Sequence, residues 1–499
     1  MKRHRSELSS AVPVLSVVLP VYNAMPWLPT TMHHLLRQRL EGDQPIEIVA
    51  AVDGCTDDSL PFLLELVGAL GDAARSEQCD PPYTTGPDST SNPAFLQPLR
   101  APETVDHPSF SKCHVAAGSL LTRDEGAASD LRAEGDAPST AAPPSASVVA
   151  SSCRPEHRLL VLHYGANCGQ GAAMSLALSR CRAPLIAQME SDDERPDEQA
   201  FARMIAHLRA HPDWDGVSYI VELCGAPDRE RMGAYVAWQN SLIDPTAMAA
   251  ERFVEIPALH QTAIFTRKAI DDVLAPTHGR YRDGPWHEAS AANGVAAGRS
   301  SSTEEGCDGG ARLDHDDAAT SSYGNDLDTP VDLWWWLAFF HAGKRCGKLG
   351  GPPLFGWRQH PRQHTRTHGR LSIDALRKIK VHFLLRRGGP LDQPRRVILI
   401  SVGATLSGFE SDLKAHPAIA GKEVVCVEWK PPKKADVACT LPKHARRANV
   451  SQPTTKDLDG KEGEPDDVVR LWAFGNASVH QRVKDHVRDW EAGRDWFVA

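Results

Sequence analysis

The chain has 499 residues, more than one average domain, and 41% of them are hydrophobic, so a sizeable core is within reach. Its 55 basic and 64 acidic side chains leave a net charge of −9, which excludes a global basic footprint for nucleic acid and leaves only a local patch. Eleven cysteines, odd in number and without a Cys-x-x-Cys pair, exclude a zinc ribbon or a disulfide scaffold and point to a reducing compartment.

The chain opens on a basic segment, Met1 to Arg5, followed by an apolar stretch from Val12 to Tyr22 that Pro13 and Pro20 interrupt. That pattern lacks the cleavage site of a signal peptide. No apolar run of about 18 residues is present, so no transmembrane span is expected. The expected location is cytoplasmic. Leu15 to Leu19 reads as a buried strand, ended by Pro20-Val-Tyr-Asn23. A helix follows over 26–40, with Trp27, Leu28, Thr31, Met32, Leu35 and Leu36 on one apolar stripe. Ile46 to Val52 is a second strand running into Asp53-Gly-Cys-Thr-Asp-Asp-Ser59, and Leu60 to Leu70 a second helix. This β-α-β-α start, spanning 12–70, reads as a parallel nucleotide-binding unit.

Residues 71–156 lose all periodicity and are expected to be a disordered insertion. The α/β pattern resumes over 157–288. Arg158 to His163 is a strand, and Gly165-Ala-Asn-Cys-Gly-Gln-Gly171 a glycine turn into a helix over 172–180. Such a turn either holds phosphate oxygens on backbone N–H groups or is simply tight. Ala183 to Ala187 then runs into Gln188-Met-Glu-Ser-Asp-Asp-Glu-Arg-Pro196. Four carboxylates in five residues, placed where a buried strand ends, suit Mg²⁺ or Mn²⁺ bound with substrate phosphates. A solvated acidic loop is the plainer alternative. A helix over 197–210, a strand over 216–222, a helix over 230–242, a strand over 259–266 and a helix over 267–274 complete the segment.

A second low-complexity insertion is expected over 289–326. The segment 327–390 begins with a very apolar helix from Pro330, carrying Asp332 in its first turn. An acid there either complements the helix dipole or serves as a base among aromatic neighbours. Residues 350–368 are dense in His, Arg, Gln and Pro. From 395 to 499 a small α/β module is expected, with strands over 397–403, 423–428 and 468–474 and a helix over 478–492.

Six motifs in order tie these pieces together: Leu-Pro-Val-Tyr-Asn at 19–23, Val-Asp-Gly-Cys-Thr-Asp-Asp-Ser at 52–59, the glycine turn at 169–171, Glu-Ser-Asp-Asp at 190–193, Pro-Val-Asp at 330–332 and Trp-Arg-Gln-His-Pro at 357–361. Their order and spacing resemble a family 2 glycosyltransferase with the GT-A fold, over residues 14–385 minus the insertions. The closer resemblance is to the subgroup of β-1,3-N-acetylglucosaminyltransferase-like proteins, whose members galactosylate queuosine in tRNA. The resemblance implies an inverting, metal-dependent transfer from a UDP-sugar, with UDP-galactose as donor and tRNA as acceptor. The donor site would comprise Pro20, Val21, Tyr22 and Asn23, with Val21 and Tyr22 packed on the uracil, and Asp53 accepting from its N3–H. Gly169, Gly171, Asp192 and Arg358 would complete it. Glu190, Asp192, Asp193 and His360 would hold Mn²⁺ or Mg²⁺, and Asp332 would be the base. Trp334 and Trp335 would either floor the acceptor site or pack in the core. The basic surface for tRNA would be Arg358 to Arg370, Arg377 to Arg387 and Lys430 to Arg447.

Three positions depart from the family pattern: Glu190 replaces Asp, Val331 precedes the base where Glu is usual, and Met174 replaces a basic residue. Two other readings stand beside the first. One is N-acetylglucosamine transfer to a glycan. The other is an inactive GT-A domain that binds sugar nucleotides or RNA.

Overall fold

The computed structural model describes residues 12–79, 143–224, 230–274, 330–360, 363, 372–401, 403–428, 468–473 and 495–498. The chain divides into two units, Met1–Tyr281 with Val331–Thr367, and Arg282–Pro330 with His368–Ala499.

The first unit is built on an eight-stranded sheet. Strand β1 (Leu15–Val21) lies between β2 (Ile46–Asp53) and β5 (Leu185–Gln188), parallel to both. Beyond β2 come β4 (Arg158–Tyr164) and then β3 (Ala74–Gln78), again parallel. Beyond β5 the sheet turns antiparallel at β8 (Ile264–Thr266) and continues through β6 (Gly216–Tyr219) to β9 (Cys346–Leu349). A separate parallel pair joins β7 (Val221–Cys224) to β10 (Phe355–Arg358). The fold is mixed α/β with a large, mostly parallel sheet, as the alternation of strand and helix patterns predicts.

Continuous apolar strands need cover on both faces. One face of β1 and β2 contributes Leu15, Val17, Leu19, Ile46, Ile48 and Ala50 to a core shared with helices α1 (Leu28–Leu36) and α2 (Ser59–Leu70). Helix α3 (Ala146–Ser151) packs against both of these helices. Helix α4 (Gln170–Arg180), buried over most of its length, packs on β1 and β2. Helices α5 (Ala200–Ala210), α6 (Glu230–Ser241), α7 (Pro245–Ala250), α8 (Arg267–Leu274) and α9 (Val331–His341) complete the unit.

Several expectations change. Strand β3 and helix α3 lie inside the span 71–156 expected to be a disordered insertion, so both ends of that span belong to the folded unit. β3 escaped notice because Ala-Arg-Ser-Glu-Gln has no apolar run; only Ala74 is buried, and the strand is held at the sheet edge by its ladder to β4. Residues 80–142 and the expected insertion 289–326 lie outside the described residues. The strand expected over 259–266 is shorter, because His260–Thr262 forms a buried 3₁₀ turn first. The strand expected over 216–222 splits into β6 and β7, in different sheets.

The second unit holds helix α10 (Ile373–Leu385), β11 (Arg396–Ser401), helix α11 (Gly403–Ala415), β12 (Glu423–Glu428), β13 (Val468–Ala473) and β14 (Asp495–Val498). Its four strands form a parallel sheet in the order β12-β11-β13-β14, the small α/β module expected. The C-terminal stretch of this unit begins at His368 rather than near 395, so α10 belongs to it and the expected segment 327–390 is divided. The helix expected over 478–492 lies outside the described residues.

Candidate functional site

The strand order places the site. From β1 the chain moves through α1 to β2 on one side, while β5 pairs on the other side of β1. Neighbouring strands whose connections leave in opposite directions open a crevice outside their carboxyl ends, where ligands of open α/β sheets bind. The loop after β1 is Tyr22 to Ala24, and the loop after β5 is the acidic run from Met189. Tyr22 is 38% exposed although Val21 before it is fully buried.

Asn23 ties the first loop to the one after β2. It adopts φ 48°, and its Oδ1 accepts from the backbone N–H of Thr56 (2.8 Å) and Asp57 (3.3 Å). Asp57 accepts in turn from the N–H groups of Met25 (3.0 Å) and Ser59 (3.0 Å). Asp53, at the end of β2, is 3% exposed. Its two oxygens accept from the N–H groups of Cys168 (2.6 Å) and Gly169 (2.9 Å) in the glycine turn. Burial pushes its carboxyl above the usual range, against the lowering effect of those bonds. Gly54 has φ 59°, and a Cβ there would stand 2.5 Å from the backbone of Ala166 and Asn167. The loop after β2 and the glycine turn are therefore one packed body. Gly169, with φ 93°, precedes α4, and Gly171 is buried in its first turn.

The acidic loop sorts its four carboxylates. Glu190 Oε1 accepts from Gln170 (2.8 Å) and Gln188 (2.6 Å). Asp192 Oδ2 lies 2.8 Å from His360 Nε2, and the His360 ring stacks on Trp27 at 3.7 Å. Asp193 is 1% exposed and turns inward: Oδ1 accepts from the Arg358 N–H (3.0 Å) and Oδ2 from Gln261 (3.1 Å). Burial, with Asp192 and Glu190 nearby, holds its carboxyl well above the usual range. Glu194 pairs with the Arg358 guanidinium, whose Nε also donates to the Asp192 carbonyl (2.8 Å). Arg195 is buried beneath the loop, donating to the Gln261 carbonyl (3.0 Å) with Phe201 against its guanidinium.

Asp332, in the first turn of α9, lies 3.8 Å from Nδ1 of buried His260. Its Oδ1 is buried and has no hydrogen-bond partner among the described residues. Trp334, Trp335 and Trp336 are all buried, and Trp335 stacks on His260 at 5.2 Å. Val331 and Met174 are buried as well.

The structure thus joins Asp53 to Gly169, and Asp192 to His360, while Asp193 and Arg358 are engaged with neighbours in the acidic loop and β10. Among the described residues no three His, Cys, Asp or Glu side chains are arranged to hold a metal ion. Of the expected basic surface, Arg377 is paired with Asp412 (2.5 Å) and Asp374 (2.8 Å). The stretch Lys430 to Arg447 lies outside the described residues. Sequence reasoning missed Gln261 and the part played by Trp27. It also missed Thr31, whose hydroxyl donates to the carbonyls of Ser191 (3.1 Å) and Asp193 (2.9 Å). Thr31 read as one more member of an apolar stripe, and no local pattern marks a contact made across 160 residues. Among the described residues no helix is long and apolar enough to cross a membrane.

No family model and no curated protein matches the chain. Solved structures with which it aligns include TarS 1–349 from S. aureus in complex with UDP-GlcNAc, at TM-score 0.38 and 10% identity over 74% of this chain. They include the same protein with UDP, at 0.34 and 11% over 74%. A third is the mannosyltransferase PcManGT from Pyrobaculum calidifontis with GDP-Man and Mn²⁺, at 0.33 and 12% over 77% of this chain and 68% of that one. The chain spans 66% and 65% of the two TarS chains, just under two thirds of their length. At such scores these likenesses carry no inference about the activity of this chain.

Proposed function

We propose that the first unit is an inverting, metal-dependent glycosyltransferase of GT-A type that moves a sugar from a UDP-sugar to an acceptor hydroxyl. The observation that carries this reading is the contact between Asp192, in the loop after β5, and His360, just after β10, at the crevice where nucleotides bind such sheets. Tyr22, exposed at the end of β1, offers a face for the uracil. Asp53 would accept the imide N–H with a lone pair not used by Cys168 and Gly169, each carboxylate oxygen having two.

A divalent cation would take Asp192 and His360 as two donors once they part, with a third side chain turning toward them, since among the described residues no three are arranged for it. Asp192 and His360 supply one carboxylate and one imidazole, and Glu190 lies on the same loop. Among the described residues, the Arg358 guanidinium beside these carboxylates is turned to Glu194. Asp193 fits less well, because both its oxygens are engaged. Bound there, Mn²⁺ or Mg²⁺ would neutralise the diphosphate as the nucleotide departs. Asp332 would take the proton from the acceptor hydroxyl, and His260 beside it would orient that carboxylate. The buried tryptophans of α9 would hold the helix in place rather than touch the acceptor.

Within this reading, the motif resemblance supports galactose as the sugar and queuosine in tRNA as the acceptor. The test is turnover of a UDP-sugar panel with Mn²⁺, with and without queuosine-containing tRNA, by wild type and Asp192→Asn. Wild-type turnover of UDP-galactose that needs this tRNA, and its loss in Asp192→Asn, is the expected result. Full transfer by Asp192→Asn would refute the metal assignment. No turnover of any UDP-sugar by folded protein would favour a binding module.

A further inference from the structure

Helix α1 begins beside the candidate site, where Trp27 caps it and stacks on His360. It ends at Arg37, its C-cap, ten residues and roughly 15 Å away. There a cavity of about 160 Å³ is lined by Arg37, Arg39, Ser152, Arg154 and Glu198, among others. The Arg37 and Arg39 guanidinium groups meet a single carboxylate there, and Arg154 lines the same cavity. Arg37 and Arg39 both pair with Glu198, the latter at 2.8 Å, and the Arg39 N–H donates to the Glu198 carbonyl at 2.7 Å. Arg154 makes no ion pair among the described residues, and its backbone N–H is anchored on the Leu36 carbonyl at 3.1 Å.

The cluster is braced from behind. Ser152 Oγ donates to the Val149 carbonyl (2.8 Å), so it accepts from His33 Nδ1 (3.0 Å). His33 Nε2 is then left to accept from Arg37 Nη1 (3.2 Å). Burial and the Arg37 charge both lower the His33 pKa, in keeping with a neutral ring that accepts from a cation. Planar guanidinium groups are suited to oxyanions with several acceptors.

We infer that the cavity at the end of α1 is a binding site for a phosphate group, held by Arg37, Arg39 and Arg154, with Glu198 as the internal anion that the phosphate displaces. The site is independent of the donor crevice and of the reading given to it.

The experiment titrates the full chain with inorganic phosphate against chloride at constant ionic strength. It compares wild type with Arg154→Glu and with Glu198→Gln, and measures UDP affinity in each as a control on the donor crevice. Arg154→Glu is expected to weaken phosphate about tenfold or more, while Glu198→Gln tightens it. A merely structural Glu198 would not give that gain, which also guards against misfolding as an explanation. Equal phosphate affinity in wild type and Arg154→Glu overturns the inference, and so does weakening in Glu198→Gln. Fluorescence anisotropy with tRNA then separates two sources of the phosphate. A salt slope that falls by about 1 in Arg154→Glu assigns it to a polynucleotide. An unchanged slope, with phosphate binding lost, assigns it to a small phosphorylated molecule.

Discussion

A buried acceptor without a donor costs about 1–3 kcal/mol, so each one calls for an account in strain, chemistry, water or ligand. Asp332 Oδ1 is such an atom, 3.8 Å from His260, and the residues after it in α9, Leu333 to Phe340, are all buried aromatic or aliphatic side chains. If Asp332 is the base, Asp332→Asn lowers kcat by about 10²- to 10⁴-fold and leaves UDP-sugar affinity within about twofold. Parallel loss of affinity in calorimetric titration would place the residue in donor binding instead. Lys348 shows the opposite use of burial. It is 1% exposed in β9, donates to the Gln239 carbonyl, and burial lowers its pKa from 10.5 to about 7. Between pH 7 and 10.5 the unfolded chain keeps this proton and the folded chain does not, so the group's contribution to stability rises with pH across that window. The gap in urea midpoint between wild type and Lys348→Met should therefore change in favour of wild type as pH climbs from 7 to 10. A gap that stays constant would mean that Lys348 keeps its proton in the fold.

Among elements, β2, α4 and the glycine turn between β4 and α4 behave as one piece because Gly54 lets two backbones touch. Gly54→Ala adds a Cβ at 2.5 Å from backbone atoms of Ala166 and Asn167, at a φ of 59° that disfavours any side chain. Backbone cannot swing aside as a side-chain tip can. The expected result is a destabilisation of about 2 kcal/mol or more, with UDP affinity falling at least tenfold. A normal UDP affinity would show that this junction does not shape the donor crevice. Elements were legible in the sequence where burial on both faces writes a continuous apolar run, as in β1, β2, β4 and β11. β3 was not, since an edge strand is held by backbone bonds that leave no mark on its side chains. Nor was β10, whose Phe-Gly-Trp-Arg stands in a basic, proline-rich stretch and pairs with β7 from more than 130 residues away. The candidate site divides in the same way. The strand-end motifs draw attention to Asp53, Asp192 and His360 by residue type and position, and the structure brings Asp192 and His360 within 2.8 Å. Gln261, Trp27 and Thr31 act through contacts that only the fold creates.

At the scale of the molecule, the first unit carries a built-in sensitivity to acid. His157 bridges two parts of its core: Nε2 donates to the Gln38 carbonyl (2.7 Å), and Nδ1 accepts from the Ile46 N–H (3.4 Å). His34 accepts on Nδ1 from the Arg195 N–H (3.3 Å), next to the acidic loop. Both rings must be neutral, because a second proton would face an N–H donor. Burial lowers each pKa from 6.5 to about 4. Between those values the unfolded chain binds protons that the folded chain refuses, so stability is fully present above pH 6.5 and declines as pH falls toward 4. The loss is on the order of 3 kcal/mol per ring at most. The second unit contains its own buried imidazole, His416, also with a lowered pKa, so a global unfolding curve would not separate the two units. Amide hydrogen exchange does, because Ile46 and Arg195 report on the two rings directly. After correction for intrinsic rates, both amides are expected to lose protection between pH 7 and pH 5, and His157→Gln should remove most of the change at Ile46 alone. Protection that is level across that range at both amides would mean that the rings titrate normally and that acid sensitivity lies elsewhere.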